Sequence, residues 1–405
     1  MKILFVVEDD FPQKGACTSL LKNLFFVGGL ANENVTVEVL AAKNYLADKK
    51  NESCEGIKVH NAVLLSKISL DKYKEKLFKN PLKVLHGAFK KFLFKMNDDF
   101  LDTHNVRSLE KRIKKLYSEE CDAVVVVMGG FEIAAAAMNF KINNPNTKLI
   151  VYQVDPCSGN EAYPATTRKF REQFEKELFE VSDAIITTPI LLDESKKIYT
   201  DEITSKITAM EFPNVVPMRM SSCGDNDKIR CLFTGYIYGD FRNPDYCFRL
   251  FDEADERISF EMIATVTSQV KNDLKNHRVI YCDRKPLDEV RRDLASADIL
   301  VNIGNRMLNQ VPSKIFEYIS YGKPIINICK NRDCPTLPYF EKYPYALNLF
   351  EEDEIFEEQV SLLNEFILNN YQKRMPPDEI SRVFETCTPQ YCAKQMLDVL
   401  TDICK

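Results

Sequence analysis

Short apolar runs recur along this chain, separated by segments whose apolar residues follow a helical period. The runs predict strands at Ile3–Val7, Val35–Leu40, Val59–Leu64, Ala123–Met128, Leu149–Gln153 and Ala184–Thr188 in the first half. In the second half they predict strands at Ile229–Thr234, Ser259–Ile263, Arg278–Tyr281, Ile299–Ile303 and Pro324–Ile328. Strands alternating with helices argue for parallel sheets wound with helices. Ser182-Asp183-Ala184-Ile185-Ile186 and Ala297-Asp298-Ile299-Leu300-Val301 echo each other, each opening a strand after a charged amphipathic helix. Two similar doubly wound domains would produce that echo. Between Phe212 and Asp227, Pro213, Pro217, Ser221, Ser222, Gly224 and Asp225 interrupt the periodicity and mark the domain boundary. From Gln390 to Lys405, Met396, Leu397, Leu400 and Ile403 share one helical face.

Size fits that division, because 405 residues exceed one ordinary core and suit two. A composition of 45% apolar and 28% charged residues describes a soluble globular protein, and the net charge of −6 argues against nucleic-acid binding. Only Ile3–Val7 separates Met1-Lys2 from Glu8-Asp9-Asp10, too little for a secretory signal. The apolar region from Ala123 to Met138 is broken by Gly129-Gly130 and Glu132, so it does not read as a membrane span. A cytoplasmic protein is expected. None of the thirteen cysteines forms a Cys-x-x-Cys pair. Cys329/Cys334 and Cys387/Cys392 are each five apart and make no metal-like cluster with the four histidines. Reduced, mostly buried thiols and no metal are expected.

The most telling stretch is Gln310–Tyr318, followed by Gly322-Lys323-Pro324 and the apolar Ile325–Ile328. It reads as a loop, a helix opened by Pro312 as its first residue, a glycine stop and a buried strand. Ser313 and Lys314 would then sit at the positive end of the helix dipole, where N–H groups can hold a diphosphate. Glu317 projects from the same face one turn later, placed to accept from the two vicinal hydroxyls of a ribose. The plain alternative is an ordinary capped helix with a solvated Glu. Against it stands Ala297–Asn305, a buried strand ending in a Gly/Asn turn, which puts the helix at the carboxyl end of a parallel strand where open α/β sheets bind ligands.

These blocks resemble the donor-binding half of bacterial glycosyltransferases of the GT-B fold, family-4-like. The resemblance extends to Met1–Val7 with Glu8–Gly15 and to Cys231–Gly235, and so covers most of the chain. It implies two Rossmann-like doubly wound parallel-sheet domains facing each other across a cleft. The acceptor-side domain would be residues 1–217, joined by a C-terminal helix at 385–405. The nucleotide-sugar domain would be 218–384. The implied activity is a retaining transfer of a hexose from a nucleotide-diphosphate sugar, UDP or alternatively GDP, without metal or cofactor. The acceptor would be a glycan or polyprenyl-linked oligosaccharide in cell-surface polysaccharide synthesis.

By the same resemblance, Arg242, beyond a glycine turn at Thr234-Gly235, would join Lys314 in holding the leaving diphosphate, although a solvated loop arginine is the alternative. Arg284 could serve instead, in the loop where the family binds its base. Many relatives carry two glutamates eight apart; here the first position is Asn309 and only the second, Glu317, is acidic. Asn309 and Gln310 can still donate to and accept from donor-sugar hydroxyls. Asp155, ending Val151–Val154, stands where related enzymes place a His or Asp near the anomeric carbon, and reads equally as a turn-initiating Asp before Pro156. Gly15 could let backbone approach the diphosphate or sugar. Glu8 and Glu132, at strand ends, are acceptor contacts or, more plainly, solvated acids. Lys67–Lys95 interleaves nine lysines with leucines and aromatics, which suggests docking on the inner leaflet of an anionic membrane at about 1 kcal/mol per lysine, the plain alternative being a surface helix that packs its aromatics on the core. Two other readings share the architecture: a nucleotide-sugar 2-epimerase, and a non-catalytic scaffold that binds a partner or membrane.

Overall fold

The computed structural model describes residues 1–9, 11–13, 15–43, 52–63, 103–118, 120–160, 167–219, 227–237, 242–353 and 355–405. The basic stretch Lys67–Lys95 lies outside them. The chain divides into two compact units, Met1–Pro213 with Pro389–Lys405, and Asn214–Thr388.

In the first unit, strands β1 (Lys2–Val7), β2 (Thr36–Lys43), β3 (Glu52–Cys54), β4 (Ile57–Val63), β5 (Ala123–Met128), β6 (Leu149–Gln153), β7 (Ala184–Thr187) and β8 (Ile207–Ala209) form one sheet in the order β3-β4-β2-β1-β5-β6-β7-β8. In the second, β9 (Ile229–Ile237), β10 (Ile258–Val266), β11 (Val279–Cys282), β12 (Ile299–Ile303), β13 (Ile325–Cys329) and β14 (Ala346–Phe350) are ordered β11-β10-β9-β12-β13-β14. All neighbours run parallel except β3 against β4. Each sheet grows in both directions from its first strand, so strand order reverses beside β1 and beside β9. Crevices at the carboxyl ends of such switch points are where this architecture takes ligands.

The central strands are those the apolar runs predict, because helices cover both faces: every residue of β5, β6, β12 and β13 is buried. The three strands that the runs do not predict, β3, β8 and β14, are all sheet edges. Every residue of β8 and four of five in β14 are only half-buried, so neither needs a continuous apolar sequence. The hairpin to β3 turns on Glu55 and Gly56, both with positive φ (49° and 88°), as a two-residue turn of the primed type requires.

The helix Pro389–Cys404 belongs to the first unit, where Gln390 Nε2 donates to Val27 O at 3.2 Å and Gln395 Nε2 to Ala209 O at 3.4 Å. Its buried stripe is Cys392, Ala393, Met396 and Leu400. Leu397 and Ile403 flank that stripe half-buried, a rotation of the face the sequence suggests.

Candidate functional site

The second unit gathers its polar side chains at the carboxyl ends of β9 and β12. Strand β9 runs on to Ile237, so Gly235 (φ +152°) is not in a turn after Thr234 but inside the strand, paired with Ala264 of β10. The pairing surface of β10 continues three residues further than the apolar run, and the backbone follows it. Arg242 lies beyond this strand and its guanidinium points back. Its Nε donates to Asn305 Oδ1 at 2.9 Å, its Nη2 to the same oxygen at 2.5 Å, and its Nη1 to Tyr236 O at 3.2 Å. Asn305 follows β12 and is buried. One amide oxygen therefore holds two guanidinium nitrogens in the planar fork that arginine offers.

The helix predicted from Pro312 begins later, at Lys314, with Ser313 as its N-cap and Ser320 as its last residue. Pro312 opens a tighter turn, its carbonyl accepting from Ile315 N at 3.2 Å. Ser313 makes no side-chain cap bond. Lys314 Nζ sits 2.6 Å from Glu317 Oε2, and both side chains are 29% exposed. At that exposure the pair is weak enough to exchange for ligand oxygens.

Tyr318 fixes this helix to the sheet. Its buried hydroxyl accepts from Thr234 N at 2.9 Å and donates to Thr234 O at 3.3 Å. Burial pushes the phenol above its ordinary value, outweighing the nearby Lys314 cation, so it stays protonated and can donate. Through Thr234 the Lys314–Glu317 pair is tied to the strand whose Tyr236 carbonyl holds Arg242. Asn309 and Gln310 stand half-buried in the loop between β12 and the helix. Arg284, exposed, has its guanidinium carbon 5.8 Å from the centroid of the Tyr236 ring, within cation–π reach. Tyr236 thus faces Arg284 with its ring and Arg242 with its carbonyl.

The first unit builds its crevice differently. Asp155 follows β6 and lines a cavity of about 90 Å³ with Met128, Gly129, Gly130 and Asn160. Asp9 follows β1 and its Oδ2 accepts from Thr18 N at 2.9 Å, capping the helix Ala16–Lys22. Gly15 (φ +128°) lies against that carboxylate: a Cβ there would be 1.7 Å from Asp9 Oδ1. The close approach that Gly15 permits is used by Asp9. Glu8 lies against Gly130 in the same manner, a Cβ there falling 1.5 Å from Glu8 Oε2. Glu132, read above as an acceptor contact or a solvated acid, is buried in the first turn of the helix Phe131–Asn143, where the dipole favours a carboxylate. Burial, and then the charges of Asp9 and Asp155, push the Cys17 thiol up to about 12.

The loop carrying Asp155 is held by two buried side chains that sequence reading passes over. Arg171 Nη1 donates to Cys157 O at 2.7 Å, Ser158 O at 3.2 Å and Asn160 O at 2.9 Å. One turn on, Glu175 accepts from Gln153 Nε2 at 2.6 Å and Ser158 N at 2.8 Å. Their spacing of four on the helix Arg168–Val181 was visible as an Arg/Glu pair, but it reads as surface charge until the loop is folded over it.

No family model and no curated protein matches this chain. Solved structures do. A structure described as trehalose-6-phosphate from E. coli bound with UDP-2-fluoro glucose matches with TM-score 0.66 at 10% identity, covering 100% of this chain and 99% of that one. The lipopolysaccharide outer core galactosyltransferase WaaB, apo form, matches with TM-score 0.60 at 12% identity, covering 99% of both chains. An alpha,alpha-trehalose-phosphate synthase (UDP-forming) from Burkholderia xenovorans in complex with glucose-6-phosphate matches with TM-score 0.61 at 10% identity, covering 99% of both. Two wound α/β units with parallel sheets, matched to these structures over the full length, give this chain the GT-B fold of glycosyltransferases.

Proposed function

We propose that this chain is a retaining glycosyltransferase that moves a hexose from a nucleotide-diphosphate sugar to a glycan or lipid-linked oligosaccharide. One observation carries the reading: Arg242, Lys314 and Glu317 are tied through Asn305, Tyr236 and Tyr318 to the carboxyl ends of β9 and β12, beside the switch point of the second sheet. Lys314 and Arg242 take the diphosphate oxygens, Arg242 with two parallel N–H groups. Glu317 accepts from the ribose hydroxyls. Asn309 and Gln310 read the donor sugar, and Arg284 with Tyr236 flanks the base. Asp155 is assigned to sugar hydroxyls.

Similar folds are described with UDP-2-fluoro glucose and as UDP-forming, which favours uridine, with guanosine the alternative. In the transfer, the bond from the anomeric carbon to the phosphate oxygen breaks as the acceptor oxygen bonds the same face. The departing phosphate oxygen takes the acceptor proton, so no protein base is required. The two cations stabilise the charge that grows on the phosphate. The basic stretch Lys67–Lys95 favours an acceptor met at a membrane surface.

Thermal unfolding with UDP, GDP, CMP and their sugars tests the reading. A ligand at about 100 times its dissociation constant adds about 2.7 kcal/mol. The expected result is stabilisation by one nucleotide family, lost in Glu317→Ala. Stabilisation by none would replace the enzyme with a scaffold, and donor turnover without acceptor would replace transfer with epimerisation.

A further inference from the structure

The cavity beside Asp155 in the first unit carries a charge that restricts what can enter it. Asp155 and Asn160 line it with Gly129, Gly130, Phe131 and Pro156, in a volume of about 90 Å³. That is room for roughly six waters, the bulk of one sugar ring. Asp155 is exposed and Asn160 half-buried, so one loop supplies both a carboxylate and an amide. The carboxylate can accept from two vicinal hydroxyls, and the amide can donate and accept. No ligand is needed to order this loop. Arg171 Nη1 holds the carbonyls of Cys157, Ser158 and Asn160, and Glu175 Oε2 accepts from Ser158 N. A site built in advance loses little to ordering when it binds. Phe131, half-buried, adds an apolar wall. Phe170 and Phe174 meet its ring edge-on, with centroids 5.9 Å and 5.4 Å away, and fix its plane. A sugar ring can lay its C–H face on such a wall while its hydroxyls meet the acid and the amide.

The electrostatics run against an anion. Gly130 is the N-cap of the helix Phe131–Asn143, and its position carries no side-chain cap bond. Two carboxylates nonetheless stand at that positive end. Glu132 is buried in the first turn, and Glu8 lies so close to Gly130 that a Cβ there would overlap its carboxylate. Asp155 adds a third acid on the cavity wall. Among the described residues no lysine or arginine lines the cavity. Arg171, behind the loop, is 2% exposed and directs its Nη1 to three carbonyls. A phosphate would therefore bring its negative charge beside three carboxylates, and like charges brought together suppress the wrong ligand.

Given the transfer proposed above, on which this reading rests, we propose that the cavity takes one unphosphorylated sugar ring of the acceptor and rejects sugar phosphates. Asp155 and Asn160 bind a vicinal diol of that ring, and Phe131 covers its C–H face. Glu8, Glu132 and Asp155 supply the charge that turns a phosphate away.

Saturation-transfer NMR on the full-length protein compares the methyl glycosides of glucose, galactose and mannose with their 6-phosphates at equal millimolar concentration. UDP and GDP are added to occupy the anion site of the second unit. At least one neutral glycoside should bind, and its 6-phosphate should bind roughly tenfold more weakly or worse. Asp155→Ala and Phe131→Leu should each weaken the neutral glycoside by roughly tenfold, the first by losing a charge-assisted hydrogen bond. Asp155→Asn keeps the hydrogen-bonding groups and drops one charge, so it should retain the neutral glycoside and narrow the gap to its phosphate. A purely structural role for Asp155 would leave that gap unchanged. Binding of no glycoside, preference for the phosphate, or binding that none of the variants moves overturns the proposal. Thermal unfolding of the same samples with UDP or GDP keeps the two readings apart. Stabilisation by nucleotide together with any of those results overturns the cavity assignment alone, whereas no stabilisation by either overturns the transfer itself.

Discussion

At the carboxyl ends of β1, β5 and β6 the first unit places Glu8, Asp9, Glu132 and Asp155, whereas at the ends of β9 and β12 the second places, among the described residues, Arg242, Lys314 and Glu317. Both places arise from the same winding of helices on a parallel sheet, and they differ in charge. In the first, Asp9 caps the helix Ala16–Lys22 from within, so a protein carboxylate occupies its positive end. In the second, Ser313 makes no side-chain cap and the Lys314 side chain beside it is 29% exposed. The fold fixes where a ligand goes, and the residues at the strand ends decide its charge. The proposed function accordingly gives the diphosphate to the second unit and sugar hydroxyls to the first.

The largest effect expected from breaking this comparison is on stability. Arg171 is 2% exposed and holds three carbonyls of the Asp155 loop. Arg171→Ala leaves those carbonyl oxygens buried with fewer partners, at a cost of about 3–5 kcal/mol, roughly 1–3 kcal/mol for each acceptor left unsatisfied. Denaturant unfolding measures it, and a loss below about 1 kcal/mol would mean that the loop is held by something else.

Charge removal sharpens the comparison next. Lys314→Ala and Arg242→Ala should each weaken nucleotide-diphosphate binding about 10- to 100-fold, the worth of a charge-assisted hydrogen bond. Asp155→Asn should leave that affinity unchanged and lower turnover. Calorimetric titration of the three variants decides it, and an Asp155→Asn protein that no longer binds nucleotide would end the division of roles.

The smallest effect is a contrast in pH response, at about 1 kcal/mol or less. In the first unit, burial raises Glu38, but its 2.6 Å contact with His60 and 3.1 Å contact with Lys2 outweigh burial and hold the carboxyl below its ordinary value. That stabilisation is complete above the unfolded value and fades as pH falls through the lower folded one. In the second unit, burial lowers His277, yet Asp252 at 2.6 Å and Asp273 at 3.4 Å outweigh burial and raise it. Its contribution is complete below the unfolded value near neutrality and fades as pH rises through the higher folded one. Glu38→Gln should therefore flatten the acid limb, and His277→Gln the limb above neutrality, read by hydrogen exchange in each unit. Both variants flattening the same limb would contradict these assignments.

Local spacing made part of the site legible. Lys314 and Glu317 meet because residues three apart on a helix are neighbours, and the central strands announce themselves because burial on both faces demands unbroken apolar runs. The chain itself therefore determined two wound α/β units, their inner strands and the Lys314–Glu317 pair. Tertiary structure decided what depends on distant partners. Arg242 is fixed by Asn305, 63 positions away, and Tyr318 by Thr234, 84 positions away. The extension of β9 through Gly235 came from the pairing surface of β10, and the edge strands β3, β8 and β14 from neighbours that supply hydrogen bonds without demanding apolar side chains. Arg171 and Glu175 look like surface charge along the sequence and become a buried clamp only once the Asp155 loop lies over them. A hydrogen bond between distant residues leaves no periodic mark in either segment, so only the folded chain reveals it.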